Sequence, residues 1–378
     1  MRILISGAGV AGLSAAITLR ATGHDVTLVE RAHHLRANGS PIDIRGEAIG
    51  VADKMGVLGP IRERRIDMTE RVQFIDSDGA VVAEPSWDYI NDSPDDIEIP
   101  REDLTTILHD HLGPAVDLRF GESVSDLRDD GTGVDVRFAS GATGRYDLVV
   151  GADGMHSAIR RLTFGDERQF LHFLGMYIAL ARLPGDTPTD RVNPMYNFPG
   201  HMAGIAAYND TALAAFMFRS PWIDYDYHDL GAQKQILADA FAGHTEWRIP
   251  ELVNAAIEDP EFYFDSVSQI RMTRWHRGRV VLVGDAAHCT SNLTGRGTSL
   301  ALTGAWILAE ALRDHRGDLE GALAHYDRAQ RPRAISTQEM AAPGGELLAP
   351  ATQEEIERRN DALVAAARQR QATRRAAG

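Results

Sequence analysis

The types and spacing of Gly7, Gly9 and Gly12, with Glu30 further along, suit them to holding a dinucleotide. Gly7 permits a tight turn, Gly9 lets a pyrophosphate approach the backbone, and Gly12 lets a helix pack close to a strand. A helix starting there presents free N–H groups and the positive end of its dipole to a phosphate. Glu30 can accept hydrogen bonds from a ribose diol. The elements needed to position these groups are legible around them. Residues 2–6 are a short apolar run ending at glycine, residues 13–20 favour a helix, and residues 24–29 read as a second strand. A purely structural glycine turn is the competing reading, and the surrounding strands, helix and acid favour the dinucleotide. The pattern leaves NAD and FAD both open.

Two later segments have the same strand-then-loop form. One runs from Tyr146 through Asp153 and Ser157 to Arg160, and the other from Gly278 through Gly284-Asp285 to His288. The second continues through Gly295-Arg296-Gly297-Thr298 into a long apolar helix. Taken singly, each is equally well an ordinary Gly/Asp turn closing a buried strand. Taken in order with the first turn and Ile99-Pro-Arg101-Glu-Asp-Leu104, they form a set of four motifs. On these residues the chain resembles the class A flavoprotein monooxygenases, the group that includes p-hydroxybenzoate hydroxylase. It is most similar to the tetracycline-inactivating and antibiotic-tailoring branch, through Glu30-Arg31, Arg36 and Gly39-Ser-Pro-Ile-Asp43. The likeness covers most of residues 1–335.

The resemblance implies an α/β fold: a Rossmann-like FAD-binding domain with an inserted antiparallel-sheet (α+β) substrate domain and a C-terminal helix. The expected boundaries are 1–65, 99–168 and 269–340 for the FAD domain, 66–98 and 169–268 for the substrate domain, and 351–378 for the helix. It implies that Gly7, Gly9, Ala11 and Gly12 cradle the FAD pyrophosphate, and that Glu30 holds the adenosine ribose with Arg31 beside it. Arg101 reaches the FAD, Val124 meets the adenine through its backbone, and Asp153 is tied to both FAD and NADPH binding. Asp285 bonds the ribityl chain. Gly295, Arg296, Gly297 and Thr298 lie against the isoalloxazine and its pyrophosphate side, Asp43 sits near the flavin, and Arg36 is a candidate NADPH contact.

The implied activity is an FAD-dependent monooxygenase that takes electrons from NADPH. It uses molecular oxygen, through a flavin C4a-hydroperoxide, on an aromatic or polyketide-like small molecule. Hydroxylation, Baeyer–Villiger insertion and epoxidation share the scaffold, so the fold does not choose among them. No catalytic side chain is readable. Two positions depart from the family pattern: Asn292 stands where a proline is usual, and Arg296 where a glutamine is usual. They motivate an alternative, an FAD-binding protein of the same fold with a non-oxygenating role. An NAD-dependent dehydrogenase would leave Asp153 and Asp285 unexplained.

Composition narrows the field further. The chain has 378 residues, and 39 basic against 54 acidic side chains give a net charge of −15, which disfavours nucleic acid and anionic lipid. The single cysteine, Cys289, excludes an internal disulfide and a cysteine-based metal framework, and points to the reducing cytoplasm. No metal site is expected. His109 and His111 face different sides of a helix, and Asp76 and Asp78 suit a hairpin turn better than calcium. No stretch reaches the ~20 apolar residues of a membrane span. A signal peptide is a weaker reading of the N-terminus than the glycine motif. The chain is expected to be a monomer or homodimer.

Short apolar runs between residues 172 and 218 suit an antiparallel sheet roofing the flavin, with an aromatic or polycyclic substrate beneath it. Gln73, Met176, Tyr196, Phe198, His201, Phe216, Phe218 and Trp222 are candidate lining residues, each with ordinary core or surface packing as the competing reading. Residues 341–350 read as a break, and residues 354–374 as a helix bracing the two domains.

Overall fold

The computed structural model describes residues 1–35, 40–66, 71–86, 93–185, 192–209 and 211–377. In chain order the strands are β1 Arg2–Ser6, β2 Asp25–Glu30, β3 Ile42–Ile44, β4 Arg71–Ile75, β5 Val81–Ala83, β6 Ile97–Ile99, β7 Asp117–Phe120, β8 Val124–Asp129 and β9 Val134–Phe138. They continue as β10 Thr143–Tyr146, β11 Leu148–Gly151, β12 Leu171–Arg182, β13 Val192–Phe198, β14 His201–Tyr208, β15 Thr211–Arg219, β16 Tyr263–Ile270, β17 His276–Arg277 and β18 Val280–Leu282.

The first sheet has the order β17-β18-β11-β1-β2-β7 and is parallel except for β17. Its central strands are apolar on both faces because helices cover both: Ile3, Leu4 and Ile5 are fully buried, as are Leu148, Val149 and Val150. The helix Val10–Ala21 packs along the helix Gly297–Asp314. Thr18 Oγ1 on the first donates to the Ala305 carbonyl on the second at 3.4 Å. Strands β8–β10 form a small antiparallel sheet, and β3 pairs with β6 so that Asp43 lies opposite Glu98.

The second large sheet has the order β16-β12-β15-β14-β13-β4-β5. It is antiparallel except where β4 runs parallel to β13. Period-two alternation gives it two distinct faces. One face carries Tyr177, Phe216, Phe218 and Phe264 under the helices Leu230–Ala240 and Ile249–Glu258. The other carries Met176, Met202, Met217 and Val267, packed with Leu293, Leu348 and Ala349. The hairpin β4–β5 forms as expected, and Asp76 Oδ1 accepts from the N–H of Asp78 and Ala80 at 3.0 and 2.9 Å, closing the turn.

The expected break at 341–350 is instead largely helix, Ala341–Leu348. Pro343 sits in the first turn, where a missing N–H costs nothing. The glycines there serve packing: a Cβ on Gly344 would lie 2.5 Å from the Leu293 carbonyl oxygen, and one on Gly345 2.7 Å from the Met176 methyl. They let this helix press onto the Asn292–Thr294 turn and the methionine face. The final helix Gln353–Ala377 docks on the second sheet through Ile356 and Leu363, both buried. Arg359 stacks over the Phe74 ring at 3.6 Å and donates to Asn197 Oδ1 and the Leu347 carbonyl. Its bracing is therefore of the second sheet and helix Ala341–Leu348. Among the described residues no helix is long and apolar enough to cross a membrane.

Candidate functional site

Three neighbouring parallel strands, β1, β11 and β18, end side by side. The loops that follow them therefore meet outside the carboxyl edge of one sheet, where open α/β sheets bind ligands. Ala152 N–H donates to the Ser6 carbonyl at 2.8 Å, and Val283 N–H to the Gly151 carbonyl at 2.9 Å, so the three strand ends are in step. Motifs separated by more than a hundred residues become one site by this geometry.

The glycines of the first turn divide by role. Gly7 has φ +101°, and a Cβ there would lie 2.5 Å from the Ala152 carbonyl oxygen. A Cβ on Gly12 would lie 1.8 Å from the Gly7 carbonyl oxygen. Both positions need glycine for the protein's own packing. Gly9 does not: it has φ −78°, and a Cβ would meet nothing within 4 Å. Its open side is the helix N-terminus of Val10–Ala21. Ala11 is buried beneath the third motif, since a Cβ on Gly284 would lie 2.7 Å from its methyl.

Glu30, at the end of β2, is aimed by the backbone. Its Oε2 accepts from Ala8 N–H at 2.8 Å and its Oε1 from Ala32 N–H at 2.9 Å. A carboxylate has about four acceptor sites, so both oxygens keep capacity for a diol. Arg31 beside it is exposed. Glu122 N–H donates to the Glu30 carbonyl at 3.0 Å, and Gly121 N–H to the Ala32 carbonyl at 2.9 Å. This brings the segment leading into Val124, whose side chain is buried, alongside the same strand end. Arg36 lies outside the described residues.

Asp153 is adjacent to the first turn, its Cα 2.9 Å from where a Gly7 Cβ would be. Its carboxylate is committed internally: Ser157 Oγ donates to Oδ1, and Ile159 N–H to Oδ2 at 3.0 Å. Burial raises its pKa against those hydrogen bonds. It fastens the loop to the helix Ala158–Phe164. Arg160, fully buried, donates to the Ala286 carbonyl at 3.0 Å and to Glu167, tying the second motif to the third.

Asp285 differs. It is open to solvent, yet the protein surrounds it so completely that burial raises its pKa, with Arg101 acting in the opposite direction. The charge of Arg101, the exposed first residue of the helix Arg101–Asp110, opposes that shift. The start of the helix Gly297–Asp314 lies beside Asp285, since a Cβ on Gly297 would lie 3.9 Å from its Oδ1. Gly295 has φ +59°, and a Cβ there would lie 3.1 Å from Asp43 Oδ2. Thr298 is half-buried in the first turn of that helix. Asp43 is raised by burial and lowered by its ion pair with Arg45 at 3.0 Å, with Arg296 adding a further lowering charge. Asn292 is exposed on the turn before them. Asp43 and residues 295–298 therefore form a second cluster continuous with the first.

The lining candidates separate by sheet face. Met176 is on the face packed with Leu293, the turn residue next to this cluster. Tyr196, Phe198, Phe216 and Phe218 are on the opposite face, in the core beneath the two helices. His201 stacks on Phe198 there, with ring centroids 4.5 Å apart. Gln73 shares the Ile75 side of its strand and donates to Glu84 at 3.2 Å. Trp222 lies edge-on to Phe173 and is 47% exposed. Of these candidates Met176 is on the face that meets Leu293, and strand parity places Leu174, Ile178 and Met195 on that face with it.

Sequence reasoning also missed His156. Its Nδ1 lies 2.8 Å from Glu167 and its Nε2 3.4 Å from Asp265 on β16, and its ring stacks on Tyr227 at 4.6 Å. Burial alone would depress its pKa, but the hydrogen bonds to Asp265 and Glu167 prevail and push it up to about 9. The ion pair joins the second motif's loop to the second sheet.

Comparison with known proteins agrees with this geometry. The sequence profile of the FAD binding domain family matches residues 1–341. An uncharacterized protein of Mycobacterium tuberculosis (strain ATCC 25618 / H37Rv) is 40% identical over 94% of this chain and 96% of its own length. A flavin-dependent monooxygenase of Legionella longbeachae serogroup 1 (strain NSW150) is 36% identical, covering 86% of this chain and 84% of its own. Among solved structures, that of tetracycline destructase Tet(51) superposes with a TM-score of 0.84 at 32% identity, over 96% of this chain and 95% of the other.

Proposed function

The chain belongs to the FAD-binding flavin-dependent monooxygenases, and on that premise we propose that it spends NADPH and molecular oxygen to oxygenate an aromatic or polyketide-like small molecule. The supporting observation is that the loops after β1, β11 and β18 meet at one sheet edge, with Gly9 open, Glu30 held at the end of β2, and Asp285 beside the start of the helix Gly297–Asp314. These residues suit FAD. The open Gly9 side and the helix dipole behind it receive a pyrophosphate, Glu30 a ribose, Arg101 an anionic linker, and Asp285 a polyhydroxyl chain. Bound FAD would supply electron transfer from the reduced nicotinamide to oxygen.

The protein's own part is positioning and exclusion of water. The N-terminus of helix Gly297–Asp314 presents backbone N–H groups toward developing negative charge, and Arg296 adds a cation beside it. Leu174, Ile178 and Met195, each partly exposed, offer an apolar wall against which a flat ring system lies without leaving polar groups unpaired. Methionine side chains adapt to irregular shapes, which suits a polycyclic substrate. Asp153 acts on the site by holding its loop. We assign the cofactor-binding unit to residues 1–65, 99–168 and 269–340, and the substrate-binding unit to residues 66–98 and 169–268.

The test is purification followed by an absorption spectrum, then NADPH and oxygen consumption with a panel of polycyclic phenols. The reading expects a flavin spectrum and substrate-stimulated consumption of both. A protein that takes up FAD yet consumes no oxygen with NADPH or NADH under any phenol would refute the proposed reaction.

A further inference from the structure

The end of β3 and the start of the helix Gly297–Asp314 are laced together across 254 residues of chain. Ser299, in the first turn of that helix, accepts from Arg45 N–H at 2.9 Å and donates to the Asp43 carbonyl at 3.4 Å. Arg45 turns its guanidinium back onto the Asp43 carboxylate, with Nη2 3.0 Å from Oδ2. The ion pair lies against the turn that leads into the helix. A Cβ on Gly295 would be 3.1 Å from Asp43 Oδ2 and 3.8 Å from Arg45 Nη2. The Arg45 carbonyl also accepts from Ala48 N–H at 3.2 Å, at the start of the helix Glu47–Lys54. One residue thus joins a strand, a glycine turn and two helices.

The Arg45 side chain is buried, at 9% exposure, and Asp43 beside it is at 19%. Stability alone does not call for such a pair, because apolar side chains of similar volume commonly serve a protein interior as well or better. What the pair supplies is a fixed direction. The helix it steadies has Arg296 at its N-cap and no side-chain cap hydrogen bond. The N–H groups of its first turn have no acceptor within the helix. They are the groups turned above toward developing negative charge. A hydride from the reduced nicotinamide carries two electrons and one proton to FAD, which gains one negative charge as the nicotinamide is oxidised by the same two electrons. How far that charge is favoured depends on where the N–H groups point.

We propose that Arg45 is a positioning residue: clasped to Asp43 and to Ser299, it holds the Gly295 turn and the first turn of the helix Gly297–Asp314 in the orientation that favours reduced over oxidised FAD. The inference rests on the functional reading above. Arg45 acts through the helix, and the helix addresses the cofactor.

The experiment compares the wild-type protein with Arg45→Met, Arg45→Lys and Ser299→Ala. Ser299→Ala removes the lacing and no charge, whereas Arg45→Lys keeps the charge without the planar fork. The readouts are the dissociation constant of oxidised FAD by fluorescence quenching, the midpoint potential of the bound cofactor, and hydrogen exchange of residues 295–300 in the cofactor-free protein. Arg45→Met should bind reduced FAD about 10-fold more weakly relative to oxidised FAD, which lowers the midpoint potential by about 30 mV. Ser299→Ala should shift it the same way by about 3-fold, or about 15 mV, and Arg45→Lys should recover only part of the Arg45→Met loss. Exchange at residues 295–300 should quicken in Arg45→Met and Ser299→Ala. Wild-type potentials in Ser299→Ala and Arg45→Lys with a lowered one in Arg45→Met overturn the proposal, because the guanidinium charge then acts on the cofactor directly. Unchanged potentials in all three also overturn it, with or without weaker FAD binding, and leave the functional reading standing. Should Arg45→Met fail to fold, Ser299→Ala decides by the same criterion. Failure of wild type to bind FAD overturns both.

Discussion

Replacing Gly9 by alanine separates what the protein needs from what its cofactor needs. The backbone at Gly9, φ −78° and ψ −175°, is one that alanine adopts freely, and its Cβ would meet no atom within 4 Å. Alanine caps a helix less well than glycine, by roughly 0.5–1 kcal/mol. It also restricts the unfolded chain, which stabilises by ~0.4–1 kcal/mol. The two offset, so the cofactor-free protein should keep its stability to within ~0.5 kcal/mol. Binding is another matter. The added methyl occupies the face where the pyrophosphate must approach. Overpacking costs about 1–3 kcal/mol, and a displaced N–H bond to a charged group about 1.5–3. Together these predict FAD affinity reduced by on the order of 10²–10⁴-fold. Gly12→Ala makes the contrast, because its Cβ would fall 1.8 Å from the Gly7 carbonyl oxygen and must disturb the fold itself. Thermal melting without cofactor and fluorescence titration with FAD read the two effects separately. A Gly9→Ala protein that melts normally and binds FAD as tightly as wild type would refute the placement of the pyrophosphate.

Asp285→Ala should sharply weaken FAD retention through gel filtration while leaving the cofactor-free melting temperature within a few degrees, since this carboxylate sits in an otherwise destabilising enclosed position; normal flavin content would show the assignment wrong. The His156 pair has a folded pKa of about 9, above the 6.5 of a free imidazole, so its contribution is complete below pH 6.5 and lost as pH rises through 9. That contribution is on the order of 3 kcal/mol at most, and His156→Gln should flatten the decline of melting temperature between those limits; an identical pH profile in the variant contradicts the ion pair. Leu363→Ala should cost about 2–4 kcal/mol by opening a cavity beside Phe74 and Ala83, measured by urea unfolding, with little effect on FAD affinity because this helix packs on the second sheet. Ile178→Ala should change the ranking of polycyclic phenols in stimulating NADPH consumption more than it changes FAD binding, and an unchanged ranking would remove Ile178 from the substrate wall.

The sequence alone carried the nucleotide-binding half. A glycine turn needs particular residues at particular places, because positive φ and close backbone approach tolerate few alternatives, so Gly7 and Gly12 announce their packing roles locally. The order of motifs was equally legible. Their meeting was not, because it depends on β1, β11 and β18 being neighbours, and pairing between strands over a hundred residues apart leaves no local trace. The same holds for the second sheet. Its aromatic residues were visible, but which face they took depended on where two helices and the Ala341–Leu348 segment came to rest. Composition marked that segment as a break. In the folded protein its glycines are what let a helix lie against Leu293 and Met176, and only the neighbours they touch reveal that purpose.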